Sequence, residues 1–195
     1  MKKSDRTRQR ILDAAAIEFR DKGFESTRLA DIAARAELQT PSLYYHFESK
    51  EEIIEVVLSL SVEQTFNHVK ERVAAIPEDQ PLDRLRAAIA AHVEMSQQHG
   101  DYSAATLRLY GQMPKDMQKR LRKTQREVGA FWNGLLVAAQ DAGKIRADVD
   151  LSVARMLLLG ALNWAVEWYK PSRRLTVADL AQQASDMVVD GLRSQ

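Results

Sequence analysis

The chain has 195 residues, 45% of them hydrophobic, and a formal net charge of +1 at pH 7. This apolar content is ordinary for a folded globular core, and the near-neutral balance by itself indicates no particular partner. The absence of cysteine excludes disulfide bonds and thiolate metal sites. The longest apolar stretch is interrupted and too short to cross a bilayer, and the N-terminus has no apolar signal region. We therefore expect a soluble, cytoplasmic protein.

Apolar residues recur at helical spacing along nearly the whole chain, and no strand pattern or internal repeat interrupts them. The pattern predicts an all-α fold of about nine helices. These are predicted at Arg6–Lys22, Arg28–Ala36, Pro41–Phe47, Ser49–Val73, Leu82–Gln98, Tyr102–Tyr110, Pro114–Asp141, Leu151–Tyr169 and Val177–Leu192.

Local signals place the ends of several of these helices. Gly23 is expected to end the first helix as a C-terminal glycine. The side chains of Thr27 and Thr40 are expected to cap the second and third helices. A capping box is predicted at Ser49 with Glu52, and further caps are predicted at Asp150 and Thr176.

The second and third predicted helices are unusually short. Helices of this length are unstable alone in water, so they must be held by their neighbours. Leu43 and Phe47, four residues apart, would anchor the third helix to the core. Hydroxyl and ring side chains would then face outward, which is the arrangement of a helix-turn-helix motif that enters the major groove of DNA. The outward groups are Thr40, Ser42, Tyr45 and His46, whereas Tyr44 is equally consistent with a packed ring and a phosphate donor.

The N-terminus is basic. The first ten residues contain Lys2, Lys3, Arg6, Arg8 and Arg10 against the single acid Asp5. A short basic segment can lie against phosphates, but a solvated, frayed terminus is the commoner meaning of such a pattern, and it is favoured here.

The order and spacing of residues from about 8 to 55 resemble the N-terminal signature of the tetracycline-repressor (TetR/AcrR) family. The matching residues are Ile11-Leu12-Asp13-Ala14-Ala15, Phe19, Gly23-Phe24, Thr27, Asp31-Ile32-Ala33, Ala36, Leu43-Tyr44-Tyr45-His46-Phe47 and Ser49-Lys50-Glu51. The resemblance implies phosphate contacts at Thr27, Tyr44, His46 and Lys50, and base-facing positions at Arg28, Gln39, Thr40, Pro41 and Ser42. Glu37 stands where the family usually has glycine, which leaves the turn geometry and the operator sequence open.

The resemblance also implies two domains, a helix-turn-helix DNA-binding domain over 1–48 and a helical ligand-binding and dimerisation domain over 49–195. Such proteins bind palindromic DNA as dimers, and a four-helix bundle through the last two helices of each subunit would form the homodimer. Two apolar stripes could form this dimer interface, although either could instead belong to the subunit's own core. The stripes are Leu151, Ala154, Leu158, Ala161, Leu162 and Ala165 on one helix and Leu180, Ala184, Met187, Val188 and Gly191 on the other.

A small-molecule effector is expected to bind among the middle helices. Trp132, Asn163, Trp164 and Trp168 could line a pocket, although such residues are more often simply core. The segment around Leu162-Asn163-Trp164 resembles the acyl-CoA-sensing branch of the family. That resemblance implies that an arginine such as Arg108, Arg122 or Arg126 meets the anionic CoA moiety, and that the ligand shifts the fourth helix to change DNA binding.

Two other classes of function are an enzyme and a protein–protein adaptor. An enzyme is not expected, because the sequence has no nucleophile elbow, phosphate loop or dinucleotide fingerprint. His92 and His99 lie seven residues apart without a third ligand and are interpreted as a surface pair. No catalytic residue, metal or cofactor is therefore predicted. A helical protein–protein adaptor that has lost DNA binding is the remaining alternative, and Glu37 gives it some weight.

Overall fold

The computed structural model describes residues 3–194. Within this range the chain forms nine α-helices, one short 3-10 helix at Tyr110–Gln112 and a single isolated bridge between Ile145 and Arg193, without extended strands. The all-α prediction is confirmed, and the helices follow the predicted order. They are α1 Lys3–Ser26, α2 Leu29–Arg35, α3 Thr40–Leu43, α4 Lys50–Ala74, α5 Pro81–Gln98, α6 Gly100–Leu109, α7 Lys115–Asp141, α8 Leu151–Trp168 and α9 Val177–Leu192.

The helices are grouped in two compact units. The first comprises the described residues through Val62 together with His99–Leu121, and the second comprises Glu63–Gln98 together with the described residues from Arg122 onward. Both α4 and α7 therefore have residues in each unit. These compact units differ from the two domains predicted from sequence, which divide between residues 48 and 49. That domain boundary remains a prediction.

The first unit is built around the apolar face of α1. Ile11, Ala15 and Phe19 recur every four residues and are fully buried, as the helical period requires. α6 packs along the same helix, where the hydroxyl of Tyr102 donates to Asp13 Oδ1 at 2.7 Å. Burial raises the pKa of Tyr102, with a further rise from Asp13. The neutral phenol is therefore fixed as a hydrogen-bond donor between the two helices.

The predicted helix ends are partly right. Gly23 adopts a left-handed φ of 78° that interrupts α1, and Ser49 Oγ accepts from the backbone N–H of Glu52 at 3.1 Å. The caps predicted at Thr27 and Thr40 are wrong. The N-cap positions are Arg28 and Gln39 instead. The Thr27 hydroxyl is buried and donates to the carbonyls of Glu18 and Gly23, and Thr40 is already the first residue of α3.

The second unit contains α5, α8 and α9 around a core that includes Trp132. The caps predicted for its last two helices are confirmed. Asp150 accepts from the N–H groups of Ser152 and Val153, and the Thr176 hydroxyl accepts from the N–H of Asp179 at 3.1 Å. Charge also pairs α5 with α9 through Arg86 and Asp186.

The two apolar stripes predicted on the last helices are divided between the inside and the outside of the second unit. Leu158, Leu162 and Ala165 are buried in its core, whereas Ala161, Met187 and Gly191 are exposed. No helix within residues 3–194 is long and apolar enough to span a membrane.

Candidate functional site

The third helix is very short and faces outward. It comprises only Thr40–Leu43, and Leu43 is its single buried residue. Immediately after it, the side chains of Tyr44 and Tyr45 are exposed, at 59% and 88%. This places a proline, hydroxyl groups and two phenol rings at the surface of the first unit, as the sequence predicts, with Gln39, Pro41, Ser42 and His46 at exposed or half-buried positions.

Two apolar side chains anchor this surface. Leu43 and Phe47 are almost fully buried, and the N–H groups of His46 and Phe47 both donate to the Leu43 carbonyl at 2.9 Å. The guanidinium carbon of Arg8 lies 4.7 Å from the centre of the Phe47 ring, a cation–π contact. A four-residue helix cannot persist by itself, so these anchors hold the outward residues in position.

The turn between α2 and α3 contains Glu37 in the left-handed region, with φ of 54°. This is the conformation that glycine adopts most easily, so the backbone follows the glycine-type turn despite the substitution. Arg10 stabilises it from α1, donating to the carbonyl of Ala36 and lying 3.1 Å from Glu37 Oε2. The acid that departs from the family pattern is therefore paired with a cation.

Two of the predicted phosphate contacts also hold the protein together. The ammonium of Lys50 donates to the carbonyls of Phe24 and Thr27 at 2.8 and 3.0 Å and lies 4.4 Å from the centre of the Phe24 ring. Thr27 itself is buried. These contacts join the start of α4 to the junction of α1 and α2, and the two phosphate roles remain predictions.

The basic residues at the N-terminus belong to a helix. The described ones, Lys3, Arg6, Arg8 and Arg10, lie in α1, and Lys2 is outside the described residues. The last two contact Phe47 and the α2–α3 turn, so these cations are ordered around the helix-turn-helix. Arg28 is exposed at the start of α2.

The residues predicted to bind an effector do not form one cluster. Arg108 is in the first unit, where it donates to the carbonyl of Arg20 at 2.9 Å. The other four are in the second unit. Trp132 is buried in the core, whereas Trp164 and Trp168 have more than half of their surface exposed. The pocket roles of all five remain predictions.

A buried histidine contacts two of these residues, Trp132 and Asn163. His92 is buried on α5, so its interpretation as a surface residue is wrong, and His99 lies beyond α5 at the N-cap of α6. The Nε2 atom of His92 is 3.1 Å from Asn163 Oδ1, and the His92 ring meets the Trp132 ring edge-on. Burial lowers the pKa of His92 to about 4, against the opposing effect of the Asn163 hydrogen bond. A signal existed, because His92 lies on the buried face of α5 defined by Leu85 and Ile89.

The second unit has an open pocket of about 510 Å³ beside α7. Its lining contains three guanidinium groups and no carboxylate, a composition suited to an anionic ligand. Arg155 of α8 donates to the carbonyl of Gly129 at 3.1 Å, and a Cβ at that position would lie 2.9 Å from Arg155 Nη1. Glycine thus lets the guanidinium lie close to α7. The lining residues are Arg122, Gln125, Arg126, Gly129, Ala130, Asn133 and Arg155.

Of these, the sequence pointed to Arg122 and Arg126 but missed Arg155, which comes from a different helix. Within residues 3–194, no group of three or more potential metal ligands is clustered. A short anchored helix presented outward after a tight turn, in the first unit, is the arrangement of a DNA-binding helix-turn-helix. The basic pocket in the second unit is a candidate site for an anionic small molecule.

Comparison with known proteins agrees with this class. Residues 11–57 match the model for bacterial regulatory proteins of the tetR family, and residues 78–192 match the tetracyclin repressor-like C-terminal domain. The HTH-type transcriptional repressor KstR2 of Rhodococcus jostii is 34% identical over 192 residues, covering 96% of this chain and 91% of the relative. The chain belongs to the TetR family of transcriptional regulators; it is a DNA-binding regulator and not an enzyme.

Solved structures show the same fold. The ketosteroid transcriptional regulator KstR2 of Mycobacterium tuberculosis superimposes with a TM-score of 0.87 at 24% identity, covering 96% of this chain and 95% of the other. AibR, in complex with isovaleryl coenzyme A and operator DNA, superimposes with a TM-score of 0.81 at 24% identity, covering 96% and 98%.

Proposed function

We propose that this protein is a cytoplasmic repressor that binds a palindromic operator as a homodimer and is switched by an acyl-CoA thioester. The observation that carries the DNA-binding part is the exposed surface of α3 and Tyr44–Tyr45, held by the buried anchors Leu43 and Phe47. The relative from Rhodococcus jostii is named a repressor, which supports repression rather than activation of transcription.

The helix-turn-helix surface offers contacts of two kinds. Exposed Gln39, Pro41 and the half-buried Ser42 lie at the N-terminal end of α3, where a recognition helix meets base edges. Arg28, at the start of α2, is proposed to face a base as well, whereas the two tyrosines carry hydroxyl groups that donate to phosphates. Lys50 is held by two backbone carbonyls and carries three N–H donors, so it is proposed to reach a phosphate oxygen with the remaining one.

DNA binding can be tested with duplexes that the protein itself selects from a randomised library. Arg28→Ala and Tyr45→Ala should each weaken binding to the selected palindrome by about tenfold, as expected for a lost base contact at Arg28 and a lost phosphate contact at Tyr45. Lys144→Ala, an exposed cation in the second unit, is the matched control and should bind as the native protein does. Failure to select any duplex would contradict the proposal.

The dimer is proposed to form through an exposed apolar face of α8. Val153, Leu157, Trp164 and Trp168 are all more than half exposed and repeat at helical spacing, beside Gly160 and Ala161, which permit close helix approach. On α9, Met187 is 70% exposed. A second copy of the same surface would cover these groups in a two-fold four-helix arrangement.

Sedimentation equilibrium tests this surface. Leu157→Glu places a charge in the proposed interface, where it would be buried without a partner, and should shift the protein to monomer. Tyr45→Glu makes a similar change at an exposed aromatic residue of the first unit, and this control should remain dimeric. A dimeric Leu157→Glu variant would refute this interface.

The effector is proposed to bind the pocket beside α7. Arg122, Arg126 and Arg155 offer planar donors that suit phosphate groups, and AibR, which shares the fold, is described in complex with isovaleryl coenzyme A. The arginines suit the anionic part of a coenzyme A thioester, and the preferred acyl chain is a matter for measurement.

A thermal-shift panel tests this ligand class with acetyl-, isovaleryl-, octanoyl- and palmitoyl-CoA, free coenzyme A and the free acids. A ligand that binds only the folded state stabilises it by about 2.7 kcal/mol at a hundred times its Kd. Arg126→Ala should reduce the shift, and Arg108→Ala decides whether that first-unit arginine also contributes. If no thioester raises the melting temperature, the proposed ligand class is wrong.

A further inference from the structure

A paired contact joins α4 and α7 within the first unit. Arg120 Nε lies 2.6 Å from Glu55 Oε1, and Arg120 Nη2 lies 2.6 Å from Glu55 Oε2. The hydrogen bond from Arg120 is the main cause that lowers the pKa of Glu55. Two parallel bonds between a planar guanidinium and a carboxylate demand a specific mutual orientation of the two side chains.

The two helices joined by this pair have further roles along their length. α4 starts at Lys50, which holds the carbonyls of Phe24 and Thr27 at the edge of the helix-turn-helix. On α7, the pocket-lining Arg122 comes two residues after Arg120, and Arg126 comes four residues later. The pair thus lies on α4 within two turns of the DNA-binding residues, and on α7 within two turns of the proposed effector pocket.

A second contact between α4 and α7 lies in the second unit, where the rings of Phe66 and Phe131 meet edge-on with their centres 5.5 Å apart. Burial of apolar surface is non-directional, and edge-on ring pairs keep their contact over ring-centre separations of about 4.5 to 7 Å. A small rotation of α7 could therefore leave the aromatic pair in contact while it separates the two parallel hydrogen bonds between Arg120 and Glu55.

We propose that the Arg120–Glu55 ion pair couples the arginine pocket to the helix-turn-helix, forming in one state of α7 and separating in the other. The proposal rests on the proposed function in one respect, because it takes the pocket beside α7 to be the effector site. An anion bound at Arg122 and Arg126 rotates α7, and the guanidinium of Arg120 then separates from Glu55. Without this ion pair, α4 is free to move at its N-terminal end, where it contacts the DNA-binding residues. Arg120 and Glu55 are positioning residues and touch neither ligand.

The first experiment measures coupling as the ratio of operator Kd with and without each thioester that stabilises the protein. The native ratio should be at least about fivefold. Glu55→Gln and Arg120→Gln should each reduce it by at least about threefold, with thioester affinity nearly unchanged, and the exchanged pair Glu55→Arg with Arg120→Glu should restore most of it. Asp186→Asn breaks an ion pair between α5 and α9 and is the matched control, with native coupling expected.

The second experiment uses hydrogen exchange of the full chain without ligand. Loss of the pair should raise the exchange rate of α7 amides from 122 to 133 by about threefold in Glu55→Gln and in Arg120→Gln. The Asp186→Asn control should leave those amides unchanged. This measurement does not depend on the identity of the effector.

The outcomes separate the two proposals. If thioesters shift operator binding and Glu55→Gln keeps the full native ratio, the coupling role of the pair is refuted. If no thioester binds, the proposed ligand class fails and the exchange rates alone decide, with unchanged α7 amides in both single variants overturning the coupling role. A purely structural role would lower the stability of both single variants and leave the coupling ratio at its native value.

Discussion

Truncation of Leu43 to alanine should loosen the outward surface of α3 without unfolding the protein. Leu43 is the single buried residue of a four-residue helix that has no side-chain N-cap. Nothing in the local sequence can replace its packing, because a helix this short has no stability of its own.

The size of the effect follows from burial. A Leu-to-Ala change at a fully buried position costs about 2 to 5 kcal/mol, and we expect about 3 kcal/mol here because the small element can relax only partly around the cavity. A typical domain has a free energy of unfolding of about 5 to 15 kcal/mol, so the variant should remain folded. Operator affinity should fall by at least about tenfold, because binding must now order α3 again.

Urea unfolding and fluorescence anisotropy with the selected palindrome measure the two effects. Leu109→Ala, an equally buried leucine on α6 in the same unit, is the matched control. It should lose a similar amount of stability but keep most of its operator affinity. Should Leu43→Ala lose less than about 1 kcal/mol, or should its operator affinity equal that of Leu109→Ala, the anchoring role of Leu43 would be wrong.

Three further changes test the conformation, capping and protonation that the structure shows. Glu37→Gly should be more stable to urea than Glu37→Ala by about 1 kcal/mol, because both lose the ion pair but only glycine relieves the left-handed φ; equal stability would refute the strain. Asp150→Ala should lose about 1 kcal/mol of unfolding free energy as α8 loses its cap, whereas Asp150→Asn should lose less. His92 has a folded pKa of about 4, below its ordinary 6.5, so the unfolded chain takes up the proton first and stability falls as pH drops from 6.5 towards 4. Between pH 7 and 5 this loss should be about 2 kcal/mol, and a native pH dependence in His92→Gln would contradict it.

Local patterns were sufficient for most of the helices and for the anchors of the candidate site. Leu43 and Phe47 could be assigned to the core from their spacing, and Asp150 to a cap from its position before an apolar run. The cap predicted at Thr27 failed because tertiary burial directs its hydroxyl to carbonyls of α1. A local sequence motif cannot show that carbonyls elsewhere in the fold will bind the same hydroxyl.

The remaining features depend on contacts between distant parts of the chain. Both faces of α8 are apolar, so the sequence could not say that Leu158 is buried and Leu157 exposed. Arg155 reaches the pocket through a contact with Gly129, 26 residues earlier. Such a pairing has no periodic signal, because it is set by how two helices pack.

The contact of Arg10 with Glu37 has a consequence for ionic strength. A cation that neutralises a phosphate displaces condensed counterions, and each such contact adds about 0.9 to the slope of log affinity against log salt concentration. While Arg10 remains beside Glu37, the carboxylate offsets part of its charge. Operator affinity should therefore decline less steeply with added salt than the number of arginines and lysines around this surface would suggest, which makes DNA binding more tolerant of changes in salt concentration.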